Sequence, residues 1–220
     1  MADKFLIAVI AWDQKEGGIL EAVQPKLRLT SKTTMNIYNM HRIRRTGPSY
    51  GAIRLKLNNG ERYNVLTFFT GYGGSTSPDG FTGNYGCEFG VAERVLAMFL
   101  PMDVKSSEYE EVIARLGSRI FLEEEGIEDR VKICGDLVKN SGSIKKADGI
   151  FKILESHLDR KLGLSTEDKC LAFEYESKAL RYLVEEKLDT IQDLRINPAQ
   201  SAASFDQKKI ADAEEKEKEI

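Results

Sequence analysis

The chain opens with an apolar hairpin, and this feature limits the possible folds more than any other. Residues 4–24 read KFLIAVIAWDQKEGGILEAVQ. The run at 5–12 carries no charge, which is typical of a strand buried on both faces. A second predicted strand at 19–23 stops before Pro25, and the charged, glycine-containing stretch between the two strands predicts a turn. The opening therefore predicts an antiparallel sheet with a buried first strand.

A helix and a second hairpin follow. Thr30 and Ser31 are good helix-capping residues, and apolar residues at helical spacing after them predict a helix over 30–44, ended by Gly47-Pro48. Residues 52–57 alternate apolar and charged side chains, as a strand with one buried face does. Asn58-Asn59-Gly60 is a strong hairpin signal, and it joins this strand to a partner at 62–70.

The next segment is less definite. Residues 71–90 contain seven of the 18 glycines and predict a long loop. Residues 89–100, FGVAERVLAMFL, suit either a fifth strand or a helix. The preceding hairpin needs another neighbour and favours the strand, whereas the Ala, Glu, Arg and Leu content favours the helix.

The rest of the chain shows helical periodicity. Apolar residues at i, i+3, i+4 and i+7 predict helices from 106, over 127–139, 144–162 and 166–194. The stretch at 140–143 predicts a linker, which divides the chain into a domain at 1–140, a helical extension at 141–197 and a charged tail at 198–220. The last two helices suit either a hairpin packed on the domain or a coiled-coil-like interface between proteins. The predicted fold is α+β, with the order ββαβββαα and a C-terminal helical extension.

Composition narrows the class of protein. The chain has 220 residues, a formal net charge of −3 and three widely separated cysteines. The charge argues against a protein whose main task is coating nucleic acid, so no nucleic-acid partner is expected. The cysteine spacing fits neither a disulfide framework nor a metal site and suggests a reducing compartment. No apolar run approaches the length of a membrane span. These observations predict a cytoplasmic protein, and attachment to membranes through a partner stays open.

The motifs of common enzymes are missing from the sequence. The glycine-rich stretch at 71–86 lacks the lysine that a phosphate-binding loop needs, and G-x-S-x-G does not occur. Of the two histidines, His41 and His157, His157 lies on an apolar helical stripe, which favours a packing residue. A catalytic pair of His157 with Cys134 or Cys170 would need a proximity in the fold that the sequence does not show. We therefore predict a protein that is not an enzyme, with no catalytic residue, no cofactor and no metal site.

The element order and the opening hairpin resemble the longin domain, a profilin-like sandwich of a five-stranded antiparallel sheet between helices. FLIAVIAWDQKEGGILEAVQP is similar to the opening hairpin of longin and related trafficking modules. FGVAERVLAMFLP, followed by a serine cap and an amphipathic helix, resembles their later part. The resemblance covers residues 4–140, about three-fifths of the chain.

The resemblance implies binding rather than catalysis. Longin and roadblock domains are commonly dimerisation modules and platforms for small GTPases in vesicle trafficking. The implied partners are a small GTPase or another longin- or roadblock-type subunit, with a homodimer and an anionic membrane surface reached through a partner as further expectations. The alternative function is a profilin- or PAS-like cytoskeletal binder or small-ligand sensor.

Two groups of residues are candidates for partner binding. The first is a basic cluster on and after the first helix, near Arg54 and Lys56 in sequence, which suits an acidic partner or lipid headgroups. Its simpler explanation is that cations near a helix C-terminus complement the helix dipole. The second group comprises aromatic residues of the long loop, since long loops in compact domains are often functional. The candidates are Lys32, His41, Arg42, Arg44, Arg45, Tyr72, Phe81 and Tyr85.

Overall fold

The computed structural model describes residues 5–13, 15–42, 49–70, 94–140 and 147–196. They form an α+β fold with a five-stranded antiparallel sheet, which confirms the predicted class. The strands are β1 (Leu6–Asp13), β2 (Gly17–Gln24), β3 (Ser49–Lys56), β4 (Arg62–Phe69) and β5 (Arg94–Leu100). The helices are α1 (Ser31–Arg42), a 3-10 turn (Ser106–Tyr109), α2 (Glu110–Ile120), α3 (Ile127–Asn140), α4 (Ala147–Lys161) and α5 (Thr166–Ile196).

The strand order in the sheet is β2-β1-β5-β4-β3. β5 lies at the centre, with Ala8 of β1 opposite Ala97 and Thr67 of β4 on its other side. The ambiguous segment at 89–100 is therefore a strand from Arg94 onward. Its helix-favouring residues are overruled because every side chain from Val95 to Leu100 is buried between two neighbouring strands and the helices.

The first hairpin is tighter than the sequence suggests. Gly17 and Gly18, predicted as turn residues, belong to β2 and lie opposite Asp13 and Trp12. Gly17 is the first residue of β2. Its φ of +81° is a left-handed conformation that favours glycine, and it lets the chain leave the turn and enter the strand at one residue. The Trp12 ring stacks on Tyr38 of α1 with the ring centres 4.8 Å apart. The corner is therefore part of the core.

The sheet separates two apolar clusters because successive side chains of a strand point to opposite faces. On one face, α1 covers residues of β1, β4 and β5 through Ile37 and Tyr38. We call this the α1 face. The opposite face is covered by α2, α3 and α4, and we call it the α2 face. The sheet residues of the α2 face include Ile7, Val9, Leu66, Phe68, Leu96 and Met98.

α2 and α3 approach the sheet closely at glycines. A Cβ atom on Gly117 of α2 would lie 3.0 Å from Cδ1 of Phe68, so the helix rests almost directly on that ring. Gly135 of α3 lies over Gln24 of β2, whose Nε2 donates a hydrogen bond to Asp136 Oδ1 at 2.7 Å. These contacts hold both helices against the sheet.

The described residues divide into two units, one up to Leu180 and one from Arg181 onward. In the first unit, α4 contributes Ile150, Leu154 and Leu158 to the buried cluster that contains α2 and α3. The division into a domain at 1–140 and an extension at 141–197 stays a prediction. No helix in the described part of the chain combines the length and hydropathy of a membrane span.

Candidate functional site

The structure describes only part of the predicted partner-binding set. Lys32 is exposed in the first turn of α1, and His41 is buried in its last turn, about 14 Å further along the helix axis. Arg42 ends α1, but its side chain lies outside the described residues. Arg44, Arg45, Tyr72, Phe81 and Tyr85 also lie outside them and stay predictions. Lys32 and His41 do not share a surface.

His41 joins α1 to the β3–β4 hairpin instead of contributing to an exposed basic surface. Only 3% of the residue is exposed. Its Nδ1 atom lies 2.8 Å from Ser49 Oγ, and its Nε2 atom lies 2.8 Å from Thr67 Oγ1. The ring also stacks on Phe69 at 5.5 Å between centres. His41 therefore links α1 to β3 and β4 through hydrogen bonds to two neutral side chains.

The hydrogen bonds of Thr67 determine the tautomer of His41. Thr67 Oγ1 donates to the Gly51 carbonyl oxygen at 3.0 Å, so it accepts from His41 Nε2, and Nδ1 accepts from the Ser49 hydroxyl. A serine bonded to an imidazole is one part of a nucleophilic site. Here the serine is buried and the histidine is oriented by a threonine rather than an acid. Burial lowers the pKa of His41 from 6.5 to about 4, so the ring is neutral at pH 7.

We expect this histidine to make folding pH-dependent. Between its ordinary pKa of 6.5 and its folded pKa of about 4, the unfolded chain takes up a proton at His41 that the folded chain does not. Stability is therefore fully present above that window and falls with decreasing pH inside it, by up to about 1.4 kcal/mol per pH unit. Urea unfolding at several pH values, compared between the native chain and His41→Gln, measures this contribution. The variant should have the shallower slope.

The matched control is His157→Gln, because His157 is exposed on α4. It changes the same residue type without touching the buried hydrogen bonds to Ser49 and Thr67. Equal slopes for the native chain and His41→Gln would contradict the assignment.

A second polar cluster is ionic and buried, and it ties α5 to α2. Glu176 accepts hydrogen bonds from Arg119 and, at 3.3 Å, from Nε of Arg115. Arg119 also donates through Nε to Asp159 Oδ1 of α4 at 3.0 Å and through Nη1 to Ser118 Oγ at 2.8 Å. Because each charge meets an opposite charge, the cluster joins α2, α4 and α5 through paired groups and presents no unpaired reactive group.

The other groups with strongly shifted pKa values also belong to the core. Burial raises the pKa of the Cys134 thiol, of Tyr109 and of Tyr63 to about 12 in each case. A thiol with a raised pKa is a poor nucleophile. The described residues contain no group of three or more His, Cys, Asp or Glu side chains that could hold a metal ion. These arrangements favour packing over catalysis.

The two edges of the sheet differ. At the β2 edge, α1 uses the backbone of Gly18: the Thr34 hydroxyl donates to its carbonyl oxygen at 2.5 Å, and its N–H donates to Met35 Sδ at 2.9 Å. A register shift opposite Val9 and Ile10 leaves Glu21 as a bulge in β2. A bulge and backbone groups that are already bonded both disfavour further strand pairing, so the β2 edge is interrupted at Gly18 and at Glu21.

The opposite edge is regular. β3 pairs with β4 without a shift over its whole length, and no other strand of the described chain pairs with it. The Leu57 N–H donates to the Glu61 carbonyl oxygen at 2.8 Å, which sets the alternation of bonded pairs along the hairpin. By that alternation, the N–H and C=O groups of Ala52, Arg54 and Lys56 point away from β4. We call the segment from Ala52 to Lys56 the β3 edge.

The side chains of the β3 edge have different character on its two faces. Ile53 and Leu55 are half-buried on the α1 face. Ala52, Arg54 and Lys56 are exposed and lie on the α2 face. Arg62 of β4 lies directly opposite Lys56 and adds a third cation to that face. The alternation was visible in the sequence, but the edge position of β3 was not.

Comparison with family models, with curated proteins and with solved structures gave no match for this chain.

Proposed function

We propose that this chain is a non-enzymatic interaction module that binds another protein through the β3 edge. The observation that carries the proposal is the contrast between the two sheet edges. α1 and a bulge interrupt the β2 edge, whereas the β3 edge keeps a regular row of outward N–H and C=O groups. Such a row is the template on which a further strand adds to a sheet.

The proposed partners are a small GTPase or another longin- or roadblock-type subunit in a trafficking or regulatory complex. Their support is the resemblance of the opening hairpin and of the element order to longin domains. Because one fold supports many functions, the affinity capture described below is what identifies the partner.

The basic residues of the β3 edge agree with a selective surface. Charged side chains on an edge strand discourage pairing between identical strands. The backbone groups of Arg54 and Lys56 nevertheless point away from β4, to the side on which no other described strand pairs. A surface of this kind rejects some strands and accepts others, as a specific binding module requires.

The experiment is affinity capture of small GTPases, each loaded with GDP or with a non-hydrolysable GTP analogue, by the immobilised full chain. Measurement of the mass of the free chain in solution accompanies it. Retention of a GTPase in one nucleotide state, or a mass above that of the monomer, supports an interaction module. A monomer that retains no GTPase in either state contradicts the proposal.

A further inference from the structure

We propose that the β3 edge binds an extended segment of a different protein, in which acidic and apolar side chains alternate. This inference rests on the proposed function and names the chemistry of the partner. The acidic side chains would lie on the α2 face and the apolar side chains on the α1 face. Three properties of the edge carry the inference: its backbone, its charge and its apolar side.

The first property is the backbone of the β3 edge, whose outward N–H and C=O groups can pair with a further strand. The outward N–H and C=O groups of Ala52, Arg54 and Lys56 are spaced for antiparallel or parallel pairing with one more strand. In the described chain, only β4 pairs with β3, and it occupies the other side of the strand. A segment in extended conformation can therefore satisfy these groups without disturbing the sheet.

Charge specifies the acidic positions. Arg54 and Lys56 are exposed and form no ion pair with any described residue. A carboxylate on an added strand, directly opposite Arg54 or Lys56, would lie about 5 Å from that residue, Cβ to Cβ, and would pair with its charge.

The same charges disfavour a second copy of this chain as the occupant. Pairing two β3 edges would bring the Arg54 and Lys56 side chains of both copies onto one shared edge. Like charges across strands destabilise the pairing, so the arrangement selects a partner of opposite charge.

The apolar side specifies the intervening positions. Ile53 and Leu55 lie on the α1 face, where they are half-buried and pack against the apolar cluster of that face. On an added strand, every second side chain would extend this cluster outward. Valine or leucine there would bury apolar surface, whereas a charged residue would be desolvated without a partner.

The experiment measures binding of a fluorescent peptide to the full chain by anisotropy. The probe is a peptide in which glutamate alternates with valine. Its controls are a peptide of the same composition with the residues in two blocks and a peptide in which lysine replaces glutamate. We expect the alternating acidic peptide to bind at least tenfold more tightly than either control, with affinity falling as salt increases.

Two variants separate charge from backbone. Arg54→Glu with Lys56→Glu is expected to weaken binding at least tenfold, and Lys132→Glu with Lys152→Glu, at exposed positions of α3 and α4, carries the same charge change as a control. Ala52→Pro removes one outward N–H and no charge, and proline is tolerated on edge strands. It is also expected to weaken binding at least tenfold, and Ala52→Val is its control.

The outcomes distinguish this inference from the proposed function. Equal binding of the acidic and the lysine peptide, or native affinity in Ala52→Pro, overturns the inference. So does a native dimer that Ala52→Pro separates, because the occupant would then be a second copy. If the chain captures a GTPase whose binding no edge variant weakens, the function stands and the inference fails. Binding to vesicles of anionic lipid but to no peptide also overturns it.

Discussion

Replacement of Glu176 by alanine is expected to lower the free energy of unfolding by about 3 kcal/mol. Glu176 is only 6% exposed and accepts hydrogen bonds from Arg115 and Arg119, and Arg119 is itself buried. Removing one partner of a buried ion pair leaves a charge without compensation, which typically costs 3 to 5 kcal/mol. Asp159 remains beside Arg119, so we expect the lower end of that range. Urea denaturation followed by Trp12 fluorescence measures the loss.

The matched control is Glu174→Ala, two residues away on the same helix. Glu174 pairs with Lys178 at 3.0 Å, but its side chain is 59% exposed. Exposed i,i+4 pairs contribute about 0.5 kcal/mol or less. If Glu176→Ala costs no more than Glu174→Ala, the buried cluster does not stabilise the fold. The double variant Arg119→Met with Glu176→Met should be more stable than Glu176→Ala, because it removes both of the most buried charges and leaves without this partner only Asp159, whose side chain is 34% exposed, and Arg115.

Replacement of Phe68 by alanine is expected to cost about 4 kcal/mol of unfolding free energy. Phe68 is fully buried on β4, beneath α2 and beside the Tyr50 ring at 5.0 Å. Its loss removes the burial of a large apolar side chain and opens a cavity at the seat of α2. Thermal and urea denaturation both measure the change.

Phe173→Ala is the control, because Phe173 of α5 is 65% exposed and should change stability by less than about 0.5 kcal/mol. A similar cost for both variants would contradict the assignment of Phe68 to the core. The contact with Gly117 adds a second test: Gly117→Ala crowds the Phe68 ring in the native chain, so its cost should be smaller in the Phe68→Ala background.

Local sequence patterns predicted the helices and strands whose formation depends mainly on residues close together in sequence. The alternation at 52–57 correctly indicated a strand with Ile53 and Leu55 on one face and Arg54 and Lys56 on the other. The segment at 89–100 was ambiguous because its helix-favouring composition competes with burial between β1 and β4, and burial is a tertiary property. His41 was grouped with neighbouring cations because sequence does not show that Ser49 and Thr67 close around it.

The sequence by itself determined the class of the fold, the opening hairpin and most of the helices and strands, because hydrophobic period and turn residues act over a few neighbouring positions. Only the tertiary structure decided that α1 covers one sheet edge and leaves β3 as the regular one. It also brought Glu176 to Arg119, 57 residues away in sequence. Strand order and helix packing depend on contacts between segments that are distant in sequence. Those contacts decide which charged residues are buried in the core and which lie exposed on a sheet edge.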